Sequence, residues 1–376
     1  MQLLGLNNDV LVGGRRFHVQ TAYSEGTGTI VSQIFDNGRI VDKLESALES
    51  GEANGLALPR KLKAVHQEMI SEMEMLFFIA DKVEQVKHSV SSNKLGLVFL
   101  SKNLFDDAIA QFRKAIELDK DYTEAHRNLG MALVLKMDYP DAEEALLRAA
   151  KLAPKYADLY HYLGAAQLEQ KKYESALESF NSALEHNPSY YEAHFDLARL
   201  FLRTLVEGVD QSYLPPATVR AKRSVEHLTR TAEGFASYRT PRIEKAIQLI
   251  EEGVFAQAQD ELEVLRQESP AEIENLFEHE FYLKFMYGGK GKDDAFIQKY
   301  AESLRAAIQE YPNYADLHNN LGVAYLIQCR NLFLHALEEF RQAIKINPRY
   351  KRAEKNLKLA ENDGKGFLIL LRAILK

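Results

Sequence analysis

Three consecutive stretches of this chain share one spacing, and that repeat constrains the fold more than any other feature of the sequence. The stretches run from Ser89 to Tyr122, from Thr123 to Tyr156 and from Ala157 to Tyr190, so all three have the same length and end in tyrosine. At roughly 150 residues per domain, a chain of 376 residues would ordinarily form two or three domains. A constant period predicts instead an array in which each repeat packs against its neighbours.

The repeat places small and large residues at fixed positions. In the first copy they are Leu95, Gly96, Ala108, Phe112 and Ala115, and the later copies add Pro154 and Pro188 near the end of the period. Small residues let two antiparallel helices approach closely, and large ones fill the space between them. Proline stops the second helix, because its ring and missing N–H cannot continue one. Each repeat is therefore predicted to be a helix-turn-helix hairpin.

This pattern resembles the tetratricopeptide repeat family of bacterial type. The resemblance implies a mainly α fold, a right-handed solenoid of helical hairpins. It also implies that the chain binds proteins and does not catalyse a reaction. The same signature recurs from Ala315 to Tyr350, with Leu321, Gly322, Ala336 and Phe340, but this copy is two residues longer. The two extra residues are predicted to lie in the turn between its helices.

Three degenerate copies fill the interval between the clear ones, so we predict an array of about seven repeats. Insertions fall in the fourth and sixth copies, and the sequence gives no reason for them. The predicted repeats are residues 89–122, 123–156, 157–190, 191–238, 239–272, 273–314 and 315–350.

The first 48 residues alternate polar and apolar side chains and predict a small antiparallel β-meander, residues 1–48. Gly13-Gly14 and Asn37-Gly38 are typical of tight hairpin turns. Four short strands bury little apolar area, so we expect this β-module to dock on a neighbour. A joint and a long helix are predicted over residues 49–88. The module resembles N-terminal extensions of uncharacterised bacterial repeat proteins, which implies no activity.

Residues 351–376 are predicted to form a polar capping helix and then an apolar helix, Phe367 to Lys376. Such an apolar helix must be covered. It could pack on the last hairpin, lie in the groove of the array, pair with another copy or touch a membrane surface. We expect it to dock on the chain's own repeats.

Composition excludes several classes of function. Forty-seven Lys and Arg against 54 Asp and Glu leave a net charge of -7, so no global attraction to nucleic acid exists. No leader and no apolar run long enough to span a membrane is visible, and Cys329 is the single cysteine. We expect a cytoplasmic protein without stable membrane insertion.

Catalytic chemistry has no visible basis in the sequence. His126, His194 and His318 occupy the fourth place of their repeats, equivalent to Tyr160, which predicts packing and not metal ligation. Gly288 to Lys292 has the composition of a phosphate loop without its Ser or Thr, and is predicted to be a loop between helices. Cys329 lacks an identifiable base and is predicted to be buried. We therefore predict no catalytic residue, no metal site and no cofactor.

The family resemblance implies which side chains line the concave face of the array, because the first helix of each hairpin faces inward. We expect these side chains to face the groove and not the hairpin core. The predicted groove residues are Asn93, Leu97, Arg127, Met131, Leu135, His161, Leu168, Phe195, Arg199, Arg203, Asn319 and Val323. Apolar residues with arginines suit an apolar or amphipathic protein segment that carries an acidic residue. Alternatively, part of this stripe only packs helices together.

The leading prediction is a non-enzymatic scaffold or adaptor that binds a partner segment in the concave groove. The alternative is a self-assembling structural protein that forms a homo-oligomer through the β-module or the C-terminal helix.

Overall fold

The described residues are mainly helical and begin with a small sheet, which confirms the predicted fold class. A computed structural model describes residues 5–48, 57–234, 238–268, 276–290, 293–310, 312–349 and 351–361. Contacts between residues divide the chain into two units, Met1–His279 and Glu280–Lys376.

Residues 5–48 form a meander of four strands. They are β1 (Gly5–Val12), β2 (Arg15–Ser24), β3 (Thr29–Asp36) and β4 (Arg39–Ala47), which pair in that order with every neighbouring pair antiparallel. Gly13, Gly14, Asn37 and Gly38 all have positive φ. Positive φ at both central residues defines the type I′ turn, which favours glycine and asparagine. The predicted hairpins are confirmed.

The sheet packs one face on a long helix, α1 (Ala57–Val86). Ile30 of the sheet belongs to one buried cluster with Leu62 and Val65 of α1, and the rings of Phe17 and Phe77 lie 5.7 Å apart. The β-module thus docks on its neighbouring helix, as its small size requires. Residues 49–56, most of the predicted joint, lie outside the described residues.

Charged side chains fix the β-module to the first helical hairpin. Arg15 donates to Asp107 at 2.6 Å, and Lys102 donates to Asp42 at 2.6 Å. The Arg39 guanidinium donates to the backbone carbonyl of Asn103 at 3.1 Å. The sheet, α1 and the first repeat therefore form one continuous structure.

Residues 89–190 form three helical hairpins with the predicted period. Their helices are α2 (Ser89–Ser101), α3 (Phe105–Leu118), α4 (Thr123–Leu135), α5 (Tyr139–Leu152), α6 (Ala157–Glu169) and α7 (Tyr173–His186). Asn103, Met137 and Lys171 have positive φ and stand at the same place in the three turns. A left-handed residue at this place reverses the chain after each first helix.

Each hairpin closes on a glycine notch, by which we mean the surface left open on the first helix where a glycine lacks a side chain. A Cβ at Gly96 would lie 2.5 Å from the Phe112 ring, one at Gly164 would lie 2.7 Å from the Phe180 ring, and one at Gly130 would overlap Leu146. These three large residues are fully buried. The notch lets the second helix pack closely on the first, as the sequence predicts.

The fourth residue of a repeat bonds to a backbone carbonyl of the preceding joint between repeats. The bonds are His126 Nε2 to Lys120 O at 3.0 Å, Tyr160 OH to Pro154 O at 3.2 Å, His194 Nε2 to Pro188 O at 3.0 Å and His318 Nε2 to Pro312 O at 3.1 Å. The histidines at this place therefore satisfy carbonyls at the joints between repeats, which agrees with their predicted structural role.

Two further helix pairs continue the first unit: α8 (Tyr191–Val206), α9 (Ala217–Gly234), α10 (Pro241–Glu251) and α11 (Phe255–Glu268). The predicted insertion in the fourth repeat is the loop between α8 and α9. Phe195 and Leu202 of α8 join Leu262 and Leu265 of α11 in one buried cluster. The second helix of the later pair, α11, therefore packs directly on α8.

The second unit contains most of α12 (Leu276–Met286), and α13 (Asp294–Glu310), α14 (Ala315–Ile346) and a helix over residues 351–361, here α15. A core of α12, α13 and α14 side chains includes Phe281, Ile297, Tyr300 and Ile327. The predicted apolar helix Phe367 to Lys376 lies outside the described residues.

The predicted turn in the seventh repeat is wrong, because α14 continues through it for 32 residues. Residues 328–332 contain neither glycine nor proline, so nothing in the backbone interrupts the helix. Asp294 accepts hydrogen bonds from Asn331 at 2.8 Å and from His335 at 3.0 Å, and holds this stretch helical. Cys329 is exposed on α14, so its predicted burial is also wrong. The other repeat limits stay predictions.

The glycine notch gives a stability prediction. Replacing an interior helical glycine by alanine normally stabilises a helix by about 1 kcal/mol, but Gly130→Ala should lower the free energy of unfolding by about 1–3 kcal/mol. The new methyl group would overlap Leu146. Gly26→Ala is the control, because a Cβ there meets no described atom within 4 Å. Urea denaturation measures both, and a stabilised Gly130→Ala would contradict the close contact.

Candidate functional site

The predicted groove residues of the first unit lie on α2, α4, α6 and α8, the first helices of four successive hairpins. Polar side chains on these helices link each repeat to the next. Asn128 donates to Asn93 at 3.0 Å, Arg127 pairs with Asp158 at 2.8 Å, and His161 contacts Asp196 at 2.9 Å. The structure therefore brings these side chains together along the inner helices.

Most of these side chains are covered by the chain itself. Asn93, Leu97, Met131, His161, Leu168, Phe195 and Arg199 are each at most 8% exposed. The side chain of Arg203 is 12% exposed, and Arg127 and Leu135 are half-buried. The expectation that these residues form an open groove is wrong for all but Arg127 and Leu135. Whether they bind a partner stays a prediction.

The helix α11 covers the inner side of α8. Arg199 and Arg203 both donate to Glu263 of α11, at 2.7 Å and 2.9 Å. Arg266 of α11 donates to Glu169 of α6 at 2.7 Å. At the first hairpin, Lys94 of α2 contacts His279, a residue of α12, at 3.2 Å. The inner side of α6 and α8 is thus occupied by a later helix of the same unit, and α2 also contacts a later residue of that unit.

Six charged side chains meet where α6, α8 and α11 join, and we call them the inner ionic cluster. Its members are Arg199, Arg203, Arg266, Asp196, Glu169 and Glu263, three cations and three anions. Arg199 is the centre, since it also donates to Asp196 at 2.6 Å and to Glu169 at 2.9 Å. Balanced charges with several hydrogen bonds offset the cost of desolvating each ion.

The pKa shifts in the inner ionic cluster follow from that balance. Burial alone would raise the pKa of Asp196, but the neighbouring Arg199 outweighs burial and holds the pKa well below its usual value. Burial likewise opposes ionisation of Glu169, and Arg199 with Arg203 lowers its pKa. Both carboxylates are therefore ionised at neutral pH, which keeps the cluster paired.

Sequence reasoning placed Phe195 and Arg199 on an open surface of α8, and this is wrong. The Phe195 ring lies 4.8 Å from the Tyr238 ring within the cluster that α11 completes. Arg199 is 2% exposed at the centre of the inner ionic cluster. Both positions lie on an inner helix, but α11 of the degenerate fifth repeat covers them. The sequence of α11 gives no sign that this helix packs on α8.

Three members of the inner ionic cluster, Glu169, Glu263 and Arg266, were not among the predicted groove residues, and the sequence marks them to different degrees. Glu169 occupies the thirteenth place of its repeat, a position that the family resemblance assigns to the concave face. Glu263 and Arg266 lie three residues apart on α11 and could be recognised only as a charged pair on a helix. Their partners lie several helices earlier in the chain, a distance that periodicity does not bridge.

The two predicted groove residues of the second unit lie on α14. Asn319 is exposed, whereas Val323 is half-buried and packs against the core around Phe281 and Ile327. Their role in binding stays a prediction.

A pair of histidines lies between α8 and α9. His194 Nε2 bonds to a carbonyl and must carry a proton, so in neutral His194 Nδ1 accepts a hydrogen bond from Nδ1 of His227 at 2.8 Å. Burial, the neighbouring His194 and two arginines, Arg230 and Arg223, lower the pKa of His227 to about 4. Burial also lowers the pKa of His194. Both rings are neutral at pH 7.

Among the described residues, no group of three or more His, Cys, Asp or Glu is arranged to hold a metal ion. None of the helices that the structure describes is long and apolar enough to cross a membrane.

Two family models match the chain, both described as tetratricopeptide repeat, over residues 93–157 and 157–190. The matched residues fall within the three hairpins of α2 to α7. Residues 93–190 therefore contain tetratricopeptide repeats, and a four-stranded β-module precedes them in the chain.

Solved structures of other repeat proteins resemble part of the chain. MamA is 20% identical over 48% of this chain and 91% of its own, with a TM-score of 0.33. YrrB, a TPR protein with an unusual peptide-binding site, is 17% identical over 50% of this chain and 92% of its own, with a TM-score of 0.35. A tetratricopeptide repeat protein from Parabacteroides merdae is 17% identical over 76% of this chain and 99% of its own, with a TM-score of 0.34. No curated protein matches the chain.

The inner ionic cluster predicts a large effect of a single substitution. Arg199→Ala should lower the free energy of unfolding by about 3–5 kcal/mol, because it leaves buried carboxylates without their main counter-ion. Arg242→Ala is the matched control, since Arg242 also pairs with two glutamates but on an exposed surface, where ion pairs contribute little. Urea unfolding of both variants tests this, and equal losses would contradict the burial of Arg199.

The histidine pair predicts a pH dependence of stability. The pKa of His227 is about 4 in the folded protein and ~6.5 when unfolded, so the unfolded chain binds more protons between these values. Stability should therefore fall by about 2 kcal/mol for His227 alone as the pH drops from 7.5 to 5. Denaturant unfolding at both pH values measures the decrease in the free energy of unfolding. In His227→Phe that decrease should be smaller by about 2 kcal/mol. An identical drop in both proteins would contradict the prediction.

Proposed function

We propose that this protein is a non-enzymatic scaffold that binds a segment of a partner protein on the inner side of its repeats, and that it works in the cytoplasm. The repeat class supports the first part, because tetratricopeptide hairpins present an extended concave surface to other chains. The single cysteine, Cys329, supports a reducing compartment.

The proposal rests on one observation: the amphipathic helix α11 packs on the inner side of α6 and α8. That helix is amphipathic: Ala258, Leu262 and Leu265 are buried in the cluster with α8, and Glu263 pairs with Arg199 and Arg203. An amphipathic segment with one acidic residue is the chemistry that the arginines and apolar residues of the inner helices favour. The chain's own α11 is thus an example of the ligand class that we propose for the partner.

The partner's position follows from what the chain leaves uncovered. Arg127 and Leu135 on α4 are half-buried, and the Arg127 side chain is 26% exposed beside Asp158. A partner segment with an acidic residue can pair with Arg127 as Glu263 pairs with Arg203. We therefore propose that the partner contacts α4, next to the part of the inner side that α11 occupies.

The proposal includes no catalytic step. Tetratricopeptide repeats supply binding surfaces, and Asn93, Arg127 and His161 of the inner helices pair with residues of the next repeat. His161, a buried histidine of the inner side, contacts Asp196, which is itself held by Arg199. These groups are used in packing the array.

Two arginines that pair across neighbouring repeats provide a matched test. Arg127 joins α4 to Asp158 at 2.8 Å, and Arg113 joins α3 to Asp141 at 3.3 Å, so only the first lies on an inner helix. A photo-reactive residue at Leu135 should cross-link one discrete partner in a cell extract, whereas one at Arg148 on the outer helix α5 should not.

Arg127→Glu should then reduce that cross-link about tenfold, and Arg113→Glu should leave it unchanged. Both variants should keep melting temperatures close to that of the parent, because partly exposed ion pairs contribute little to stability. Cross-linking that is equal at Leu135 and Arg148, or equally sensitive to both arginine variants, would exclude the inner side as the binding surface.

A further inference from the structure

The seventh repeat has the side chains of a hairpin but the backbone of a single straight helix. Its Leu321, Gly322, Ala336 and Phe340 correspond to Leu95, Gly96, Ala108 and Phe112 of the first repeat, yet α14 runs without a turn from Ala315 to Ile346. The surfaces that close the other hairpins are therefore present here without having closed on each other.

The glycine notch shows this directly. A Cβ at Gly96 or Gly164 would meet the facing aromatic ring within 3 Å, whereas one at Gly322 would meet no described atom within 4 Å. Gly322 is exposed. The notch on α14 is open, although its sequence matches three notches that are filled.

The large side chain that should fill the notch is likewise without full cover. Phe112, Leu146 and Phe180 are fully buried in their hairpins, but Phe340 at the same place is only half-buried. The two alanines that pack beside them are fully buried in the first three repeats, and their counterparts Ala336 and Ala343 are half-buried. An apolar surface made for a helix contact is thus left partly exposed.

The two extra residues of this repeat bring the notch glycine, Gly322, and the large residue, Phe340, to the same side of a straight helix. With the spacing of the first three repeats, the notch glycine and the large residue would be about 4.4 turns apart on a straight helix. They would then lie on nearly opposite sides of that helix. Gly322 and Phe340 are two positions further apart, which makes the separation about five full turns. The insertion therefore aligns notch and large residue on one side of α14.

That alignment produces one stripe along the whole helix, which we call the α14 stripe. It consists of Gly322, Leu326, Cys329, Phe333, Ala336 and Phe340, all within about 40° of a single direction at about 100° per residue. The opposite side of α14 carries Ala324, Ile327 and Asn331, which are buried, and the first two of these belong to the core with α13. The α14 stripe consequently faces away from the core with α13. Leu326 is the exception, because it borders that core.

The α14 stripe is complementary to itself in the antiparallel direction. Two antiparallel copies that share a two-fold axis near residue 331 place Gly322 opposite Phe340, Leu326 opposite Ala336 and Cys329 opposite Phe333. Each pair sets a small side chain against a large one. The first pair is the contact between glycine and large residue that closes an ordinary hairpin of this array.

We propose that the α14 stripe is the contact surface for a second copy of this chain, in which each α14 completes the hairpin that the other leaves open. The second half of one α14 packs on the first half of its partner, and the exchange is reciprocal, as two-fold symmetry requires. The occupant is a second copy because Phe340 is the side chain that the Gly322 notch fits. This inference concerns assembly and does not depend on the proposed partner segment.

Cys329 allows a test in the unaltered chain, since it is the only cysteine, is exposed and lies near the proposed two-fold axis. A short bis-maleimide should join two copies through Cys329 in dilute full-length protein, and light scattering should give the mass of a dimer. Cys329→Ser should lose the cross-link and keep the dimer mass.

Two substitutions on the α14 stripe and one control beside it locate the contact. Phe340→Asp and Gly322→Leu should each lower the cross-linked fraction about tenfold or more, which corresponds to about 1.4 kcal/mol, and should shift the mass towards the monomer. Ile346→Asp, at a position that is 85% exposed and off the stripe, should change neither. Removing Asn331 and Leu332 restores the spacing of the first three repeats and should give a monomer with a closed hairpin.

Three outcomes would overturn the proposal. A monomer at every concentration whose melting temperature falls with Gly322→Leu would mean that the hairpin closes within one chain. A dimer that persists in both stripe variants would mean that the contact lies elsewhere. A dimer that is lost only when residues 366–376 are removed would assign it to the C-terminal segment.

Discussion

The close contact between a glycine and a large side chain is the interaction on which the array depends. Gly96, Gly130 and Gly164 each leave a notch that Phe112, Leu146 or Phe180 fills completely. The contact fixes the distance between the two helices of a hairpin, and thereby the position of every inner side chain along α2, α4 and α6. Where the contact is made, the constant period produces a regular array; where it is not made, as in α14, the architecture changes.

Inside the array, electrostatics decides what the inner side can hold. The inner ionic cluster keeps Asp196 and Glu169 ionised against the effect of burial: Arg199 lowers the pKa of Asp196, and Arg199 and Arg203 lower the pKa of Glu169. The α11 helix contributes one anion and one cation of the cluster, Glu263 and Arg266. Without α11, the two buried arginines of α8 would lose Glu263 and keep Glu169 as the one counter-ion that they share. The inner side of α8 therefore favours a neighbouring helix that brings a carboxylate to Arg199 and Arg203.

The same repeat signature supports two kinds of contact in this chain. In the first three copies the two halves of a hairpin meet within one chain, whereas in the seventh an insertion of two residues turns both halves to one side of a straight helix. Asp294 holds the junction by accepting hydrogen bonds from Asn331 and His335. The two proposed binding surfaces, the inner helices and the unclosed seventh repeat, thus derive from one repeat signature.

The sequence by itself determined the local geometry: the period, the β-turns at Gly13-Gly14 and Asn37-Gly38, and the residues that close the hairpins. These features depend on residues that lie within one repeat of one another, a range over which helical and turn preferences act. Only the tertiary structure decided that α11 covers Phe195 and Arg199, because Glu263 reaches Arg199 across 64 residues. It also decided that α14 is one continuous helix: the repeat signature predicts a turn near residues 328–332, whereas Asp294 of α13 accepts hydrogen bonds from Asn331 and His335 and the helix continues.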